Sequence, residues 1–357
     1  MIKKTDIKNK FVSFFDPKSG FYARTGILDK DGKDTGVDPF MASFPELLDI
    51  GIMETCVCSS RCKVDCYQKA CDRTGANMST EDFREILEQC KGKTFQVALG
   101  GAGDPDTHEN FEEILKISAE YNIVPNFTTS GIAMTPKKAE LCKKYCGAVA
   151  VSEHFTDYTE NAIDILLEAG VKTNIHYVLS NKTIDTAIER LENNSFRKGI
   201  NAVVFLLYKP VGLGTEDNVL SANDPRVKKF FEVVDRNDFH HKVGFDSCSC
   251  AGIVNFAKNV DLKSVDFCEG GRFSAYIDAK MNMMPCSFAN QNSSWFVSLN
   301  DYSIKEAWES EIFDNFRYSL QNSCSGCKNR HACAGGCPLV NQVTLCGRKE
   351  RSFSKKG

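Results

Sequence analysis

The sequence has no long apolar run and no marked excess of charge of either sign. No stretch of about 18 apolar residues could span a bilayer, and the start MIKKTDIKNKFVSFF lacks the apolar region of a secretory signal. The net charge of −3 gives no reason to expect a nucleic-acid partner or an anionic membrane surface. We therefore expect a soluble, cytoplasmic protein whose partners include neither a membrane nor a nucleic acid.

Cysteine is instead abundant, with 17 among 357 residues. Five lie between Cys56 and Cys71, nine lie between Cys248 and Cys346, and only three lie in the long interval that separates these groups. In an exported chain such density would indicate disulfides, whereas in a reducing cytosol it favours metal or redox chemistry. The two groups therefore predict two metal-binding regions.

The middle of the chain alternates short apolar runs with amphipathic helical patterns. Ser79 and Thr135-Pro136 are start signals for two of the helices. Six strands with intervening helices predict an α/β fold, either a parallel sheet or a partial (β/α)6 TIM-like barrel, with its chemistry at the carboxyl ends of the strands. The predicted strands cover residues 47–53, 95–101, 123–131, 147–153, 171–180 and 201–210.

Both ends of the chain depart from this alternation. The run FVSFFDPKSGFYART has a turn signal at Asp16-Pro17 between two apolar runs, which predicts a β-hairpin packed on the barrel. After about residue 240, glycine, cysteine and short strands dominate. We therefore expect an N-terminal extension over 1–46, a barrel over 47–240 and a small cysteine-rich α+β domain over 241–357.

The first cysteine group follows the first predicted strand directly, so it forms a loop at the carboxyl end of that strand. Here the chain resembles radical S-adenosylmethionine (radical SAM) enzymes, whose signature is C-x3-C-x2-C. Cys58 and Cys62 fit this spacing, and Cys66 comes one residue late, with Cys56 and Cys71 left as spares. The resemblance implies that the three hold a [4Fe–4S] cluster whose open iron chelates S-adenosylmethionine. On the residues alone, a structural zinc knuckle made from four of the five cysteines remains the alternative.

The same resemblance implies where the cofactor is contacted. The family usually has Gly-Gly-Glu after its second strand; this chain has Gly100 and Gly101, but Ala102 replaces the glutamate. Glycine allows a backbone to approach a ligand closely. Polar side chains at further strand ends are also implied to bind the cofactor, although each could equally be a loop start or a helix cap. The implied positions are Thr128, Ser130, Ser152 and Asn174, with Thr129, Glu153, His176 and Lys209 nearby.

The second cysteine group has the stronger pattern. Cys268 and Cys286 are separated by 17 residues, and a C-x2-C-x5-C-x3-C run follows before the last cysteine. This resembles the seven-cysteine SPASM extension of radical SAM enzymes, with one departure, since Met281 replaces a glycine. The seven cysteines are Cys268, Cys286, Cys324, Cys327, Cys333, Cys337 and Cys346.

Full SPASM domains carry two auxiliary [4Fe–4S] clusters, which need up to eight thiolates. Cys248 or Cys250 supplies the eighth, and we favour Cys250. Family topology implies that Cys268, Cys286 and Cys337 share one cluster with this eighth thiolate. Gly335-Gly336 would allow the sharp turn after Cys333 that this crossing needs. The other cluster would take Cys324, Cys327, Cys333 and Cys346. A zinc ion at one of the two sites remains the alternative.

The resemblance implies that the enzyme cleaves S-adenosylmethionine reductively to a 5′-deoxyadenosyl radical, which abstracts hydrogen from the substrate. SPASM relatives mostly modify peptides or proteins, so we expect a peptide maturase with an external electron donor of the flavodoxin or ferredoxin kind. Sulfatase maturation is disfavoured because Ser287, not an aspartate, follows Cys286. Action on a small molecule, or a non-catalytic electron-transfer or scaffold role, stays open. No catalytic side chain is identified.

Overall fold

The structure is a computed structural model that describes residues 1–27, 29–31, 39–57, 62, 64–291, 293–324 and 326–347. Its largest element is a sheet whose first seven strands are parallel and lie in sequence order. These strands are β4 (Leu47–Met53), β5 (Gln96–Gly101), β6 (Val124–Thr129), β7 (Val149–Ser152), β8 (Thr173–Leu179), β9 (Ala202–Leu207) and β10 (Lys242–Phe245).

Six helices connect these strands, so the predicted partial (β/α)6 barrel is confirmed, and β10 adds a further parallel strand after it. Strand residues alternate between a fully buried face and a less buried face that looks into the barrel lumen, as Leu48 and Asp49 illustrate. The helices are α1 (Thr80–Cys90), α2 (Phe111–Glu120), α3 (Pro136–Tyr145), α4 (Asp157–Glu168), α5 (Ile184–Glu192) and α6 (Pro225–Val234).

Two helix starts follow the sequence signals directly. The Ser79 hydroxyl accepts a hydrogen bond from the Asp82 N–H at 3.0 Å. Thr135 accepts one from the Lys138 N–H at 3.3 Å, with Pro136 at the first helical position. Each cap satisfies a backbone donor that the first turn leaves unpaired, which fixes where the helix begins after its strand.

The C-terminal region extends the same sheet from the other edge of β4. β11 (Ser274–Ile277) pairs parallel with β4, and β12 (Asn282–Met284) and β13 (Val297–Ser298) continue antiparallel. The barrel and the cysteine-rich region therefore share one sheet, and the domain boundary near 240 stays a prediction. The helices of this region are α7 (Cys250–Phe256), α8 (Ile304–Trp308), α9 (Glu311–Asn322) and α10 (Arg330–Cys333). Among the described residues, no helix combines the length and apolarity that crossing a bilayer requires.

The N-terminal residues form a separate three-stranded antiparallel sheet of β1 (Ile2–Asp6), β2 (Phe11–Phe15) and β3 (Tyr22–Gly26). The predicted hairpin is confirmed as β2 and β3, and β1 is an addition. The Phe15 ring lies 5.4 Å from Phe95, and Tyr22 donates a hydrogen bond to Glu46. Because residues 46 and 95 directly precede β4 and β5, this sheet covers the amino ends of the barrel strands.

Candidate metal centres and barrel lumen

The first cysteine loop begins where β4 ends, at the carboxyl end of the first barrel strand. Cys58 lies outside the described residues, so the structure locates two of the three predicted ligands, Cys62 and Cys66. Burial raises the pKa of the Cys62 thiol, and the nearby Cys66, Cys71 and Asp104 act in the same direction. Cys71, held as a spare in the sequence assignment, therefore accompanies the two predicted ligands.

A buried ion pair ties the two ends of this loop together. Glu54, directly after β4, accepts a hydrogen bond from Arg73 Nη1 at 3.2 Å and forms an ion pair with Lys280 Nζ at 2.9 Å. Arg73 Nε also donates to the Gln68 carbonyl at 2.8 Å. Because Glu54 is buried, these cations compensate a charge that would otherwise be costly to remove from water. The pairing holds the loop over the end of β4.

The segment after β9 holds the same loop from the opposite side. Leu213 N–H donates to the Cys66 carbonyl at 3.0 Å. Gly212 has φ +66°, and a Cβ there would lie 2.3 Å from the Tyr67 carbonyl oxygen. Only glycine tolerates both this conformation and this approach. Position 212 thus sets how closely the two loops pack.

The barrel lumen is polar and partly open. Asn126 Nδ2 donates to Gln96 Oε1 at 3.0 Å, and Thr128 Oγ1 lies 3.2 Å from His176 Nδ1. Burial lowers the pKa of His176 to about 4, although Asp246 opposes the shift. His176 is therefore a neutral imidazole at physiological pH, and it presents a hydrogen-bonding pair with Thr128 to whatever enters the lumen.

The two predicted cofactor glycines have different surroundings. A Cβ on Gly100 would meet nothing within 4 Å, so the space before this residue is open. Gly101 has φ +119°, and its Cβ would lie 2.3 Å from the Met53 carbonyl oxygen. Packing of β5 against β4 therefore explains Gly101, whereas Gly100 alone faces free space that a ligand could fill.

Three of the four polar positions implied by the resemblance lie at carboxyl ends of strands. Thr128 and Ser152 are at the ends of β6 and β7, and Ser130 follows β6, where its N–H donates to Asp104 Oδ1 at 2.9 Å. The expectation for Asn174 is wrong in position. It is the second residue of β8, and it accepts a hydrogen bond from Asn201 Nδ2 at 2.7 Å near the amino ends.

A first set of thiols lies buried between β10, β11 and the C-terminal segment. The Cys248 thiol hydrogen-bonds to Cys337, which raises the pKa of Cys248, with burial second. Cys268 interacts electrostatically with Cys248 and Cys286, and Cys337 interacts with both Cys268 and Cys286. Cys337 therefore lies within electrostatic range of Cys268 and Cys286, as the crossing implied by family topology requires.

Cys250, the expected eighth ligand, points elsewhere. Its thiol donates a hydrogen bond to the Asp266 carbonyl at 2.8 Å. Cys250 opens α7, whereas Cys248 lies in the 3₁₀ turn 247–249 that follows β10 and faces Cys337. The structure thus pairs Cys248 with Cys337, whereas the Cys250 thiol interacts electrostatically with Cys333 and with Cys248.

A buried cation accompanies this first set. Lys209 Nζ donates to Asp246 Oδ2 at 3.0 Å and to the Leu207 carbonyl at 2.9 Å. Burial lowers its pKa, but Asp246, Cys248 and Cys337 outweigh burial and raise it. Lys209 therefore stays charged and offsets the negative charge that thiolates would concentrate here.

An aromatic contact joins the two cysteine regions. Tyr67, next to Cys66, packs on Phe288 with ring centroids 4.6 Å apart. Phe288 follows Cys286 by two residues, and Lys209 Nζ lies 4.4 Å from its ring centroid. A half-buried aromatic pair therefore lies between the first loop and the first thiol set.

The second thiol set lies in the segment 324–346. Gly335 and Gly336 have φ of +85° and +90°, which confirms the predicted sharp turn after Cys333. A Cβ on Gly335 would lie 2.8 Å from the Cys324 sulfur, so this turn packs directly on a predicted ligand. The four thiols that the resemblance assigns to this set belong to Cys324, Cys327, Cys333 and Cys346.

The donors of both sets are thiols, which are the ligands that iron–sulfur clusters take. In the described part of the chain, no three His, Cys, Asp or Glu side chains are close enough to hold a single metal ion. The buried first set, with the Lys209 ammonium beside it, fits a negatively charged cluster in its number of sulfurs and in its electrostatics. The residues present therefore fit the implied group.

Comparison with known proteins agrees with this architecture. Residues 268–329 match the SPASM family, described as an iron–sulfur cluster-binding domain. The mycofactocin maturase MftC of Mycolicibacterium smegmatis is 23% identical over 321 residues, which cover 81% of this chain and 78% of MftC. The corresponding protein of Mycobacterium tuberculosis is 22% identical over the same shares of both chains.

Solved structures share the fold. Streptococcus suis SuiB bound to S-adenosylmethionine superposes with a TM-score of 0.66 at 17% identity, covering 86% of this chain and 78% of SuiB. SuiB bound to its precursor peptide SuiA gives 0.64 at 15% identity, covering 90% and 84%. The enzyme anSMEcpe with bound AdoMet gives 0.61 at 17% identity, covering 84% and 91%. With the cysteine loop on β4, these findings show a SPASM iron–sulfur cluster-binding domain at residues 268–329 of a chain that shares the fold of these S-adenosylmethionine-bound structures.

Proposed function

We propose that this chain reductively cleaves S-adenosylmethionine and uses the product to abstract hydrogen from a peptide substrate. The observation that carries the proposal is the cysteine loop at the carboxyl end of β4, next to a polar lumen that is open at Gly100. When bound, the [4Fe–4S] cluster and S-adenosylmethionine supply the 5′-deoxyadenosyl radical. The residues of the chain bind the cluster and S-adenosylmethionine, orient the ligand in the lumen and shield the radical from water.

Each of these tasks has its own residues. Cys58, Cys62 and Cys66 would hold the cluster, and the backbone at Gly100 would contact S-adenosylmethionine. The neutral His176, paired with Thr128, would orient a ligand in the lumen without adding charge. The loop after β9 packs on the cysteine loop and limits access of water, which a carbon radical requires.

The auxiliary sites also belong to the proposal. We assign Cys248, Cys268, Cys286 and Cys337 to one cluster, with Cys248 replacing the expected Cys250. Cys324, Cys327, Cys333 and Cys346 would hold the other. Lys209 would stabilise the negative charge of the first auxiliary cluster and so favour its reduced form, because a buried ammonium offsets added electrons.

The kind of substrate is inferred from the relatives. MftC is named a maturase, and SuiB was solved with a precursor peptide, which favours a peptide over a small molecule for this chain. Cleavage of S-adenosylmethionine consumes one electron, so we also propose a one-electron donor of the flavodoxin or ferredoxin kind. A cytoplasmic location stays a prediction.

Anaerobic reconstitution followed by reduction with dithionite tests the activity without any substrate peptide. The wild-type chain should form 5′-deoxyadenosine and methionine in equal amounts from S-adenosylmethionine. Cys62→Ala and Cys66→Ala should abolish this, whereas Cys146→Ala, which removes a thiol at the end of α3, should not. A fully reconstituted wild-type chain that forms no 5′-deoxyadenosine would contradict the proposal.

A further inference from the structure

A groove lies beside the second thiol set on the surface of the C-terminal region. It has a volume of about 720 Å³ and an apolar side formed by Phe40 and Leu320. Cys327, a predicted cluster ligand, lines it directly. Lys328 and Arg330 line it as well and are exposed. The groove therefore joins an apolar surface, two cations and a predicted metal ligand in one place.

The charge of this region is opposite to that of the whole protein. Neither Lys328 nor Arg330 forms an ion pair within the described residues. The described residues 315–347 contain no Asp or Glu and carry Arg317, Lys328 and Arg330, although the whole chain has a net charge of −3. Such local asymmetry attracts partners of the opposite sign and accelerates their encounter.

The groove lies on the side of the barrel away from its mouth. Arg272, which lines it, donates to the Phe40 carbonyl at 2.7 Å. The neighbouring Phe273 carbonyl accepts hydrogen bonds from the N–H groups of Glu46 and Leu47, at the amino end of β4. The first cysteine loop is at the carboxyl end of that strand. A substrate atom held in the groove could not reach the proposed radical. An occupant that delivers only electrons does not need to approach the radical.

Resting on the proposed function, we propose that this groove docks an acidic one-electron carrier of the flavodoxin class, with the cluster of Cys327 receiving the electron. In the transfer the carrier loses one electron and the iron–sulfur centre gains it, and no bond or proton is exchanged at the surface. Lys328 and Arg330 pair with carboxylates around the edge of the flavin, and Phe40 receives its apolar rim.

Among its described residues, the first cysteine loop offers no comparable surface. Its described part carries Asp65 and Asp72 beside Lys69 and Arg73, and Arg73 is already paired with Glu54. Mixed charge of this kind gives an acidic carrier little steering. The contrast in charge therefore places the docking surface at the auxiliary end of the molecule.

The test uses the reconstituted holoenzyme, a flavodoxin kept reduced by its reductase, and the double variant Lys328→Glu/Arg330→Glu. The flavodoxin concentration that half-saturates 5′-deoxyadenosine formation should rise on the order of tenfold, and the wild-type value should rise with added salt more steeply than the variant value. The rate with dithionite should stay within about twofold of wild type, since steering does not concern a small reductant. Lys143→Glu/Lys144→Glu on α3 is the matched control and should behave as wild type.

A titration that follows flavin fluorescence measures the docking affinity independently of S-adenosylmethionine cleavage. Weaker binding to the double variant than to the control variant supports the docking surface even if the proposed activity fails. Equal flavodoxin binding by the two variants overturns it. A double variant that binds flavodoxin normally but loses an acidic precursor peptide overturns it too, and assigns the groove to the peptide instead.

Discussion

The choice between Cys248 and Cys250 shows how a single residue depends on local geometry. The two cysteines are two apart in sequence, and spacing alone does not distinguish them. The 3₁₀ turn after β10 directs Cys248 to Cys337, and the start of α7 directs Cys250 to a backbone carbonyl. The seven SPASM cysteines could be predicted from the sequence, whereas proposing Cys248 as the eighth depends on the 3₁₀ turn that contains it.

Iron content after reconstitution separates these two cysteines. Cys248→Ala should lose about four irons per chain, because it removes one ligand of a four-iron cluster. Cys250→Ala should keep its iron, since its thiol donates a hydrogen bond to the Asp266 carbonyl, whereas the Cys248 thiol hydrogen-bonds to Cys337. Iron and sulfide are measured per chain by colorimetric assay. The opposite pattern, with loss in Cys250→Ala alone, would restore the assignment expected from the sequence.

His241 is a second residue whose environment has a measurable consequence. It is buried against Phe196 and Phe239, and neither ring nitrogen has a hydrogen-bond partner in the described structure. Burial lowers its pKa from 6.5 to about 4, and His240 and Arg190 add to the shift. Below pH 6.5 the His241 imidazole is protonated in the unfolded chain, whereas in the folded chain it stays neutral down to about pH 4. The contribution of His241 to the free energy of unfolding is therefore fully present above pH 6.5, and it is lost as the pH falls towards 4.

His241→Phe should remove this dependence, because phenylalanine keeps the aromatic packing and does not titrate. Between pH 7.5 and 5.5 the variant should lose less stability than wild type by about 1 kcal/mol, or roughly 2 °C in the apparent melting temperature. Calorimetry at both pH values measures this. His331→Gln, at an exposed position, is the control and should keep the wild-type slope. Identical slopes in His241→Phe and wild type would refute the assignment.

At the scale of elements, the barrel strands were predictable because buried parallel strands are continuous apolar runs. The predicted strand 47–53 coincides with β4, and the other five contain the observed strands within their bounds. The strands β11 to β13 escaped prediction because they are short and take their place by pairing with β4, which lies far away in sequence. Asn174 was misplaced because the sequence does not show where within residues 171–180 the strand begins. Asn174 is the second residue of β8 and so lies near its amino end.

The contact between the first cysteine loop and the loop after β9 gives the element-scale prediction. In Gly212→Ala, the added Cβ would collide with the Tyr67 carbonyl and displace the segment that carries Cys66. The rate of 5′-deoxyadenosine formation with dithionite should fall about tenfold or more, because cofactor and cluster lose their alignment.

Gly92→Ala is the matched control for this experiment. Gly92 also has positive φ, at +72°, but an added Cβ there meets nothing within 4 Å. The control should lose about 1 kcal/mol of stability from backbone strain and keep its rate of cleavage. Equal rates in the two variants would show that the loop contact at Gly212 does not position the cluster.

At the scale of the whole molecule, one sheet carries both the barrel and the C-terminal cysteine region. The N-terminal sheet covers the amino ends of the barrel strands, so access to the lumen is left to the carboxyl ends, where the first cysteine loop lies. The half-buried pair Tyr67 and Phe288 lies between that loop and the first auxiliary set. The sequence showed only that one cysteine group precedes the other along the chain. How the two groups are placed in space depends on the pairing of β11 with β4.

The central claim is that the chain holds three [4Fe–4S] clusters, one of which binds S-adenosylmethionine. Mössbauer spectroscopy of the reconstituted, ⁵⁷Fe-labelled chain tests it most directly. The account predicts about twelve irons per chain, with the signal of about one iron in twelve, the open iron of the first cluster, changing on addition of S-adenosylmethionine, and no such change in the Cys62→Ala/Cys66→Ala variant. A wild-type chain that holds zinc and at most about four irons would contradict it, and so would an iron spectrum that does not change on addition of S-adenosylmethionine.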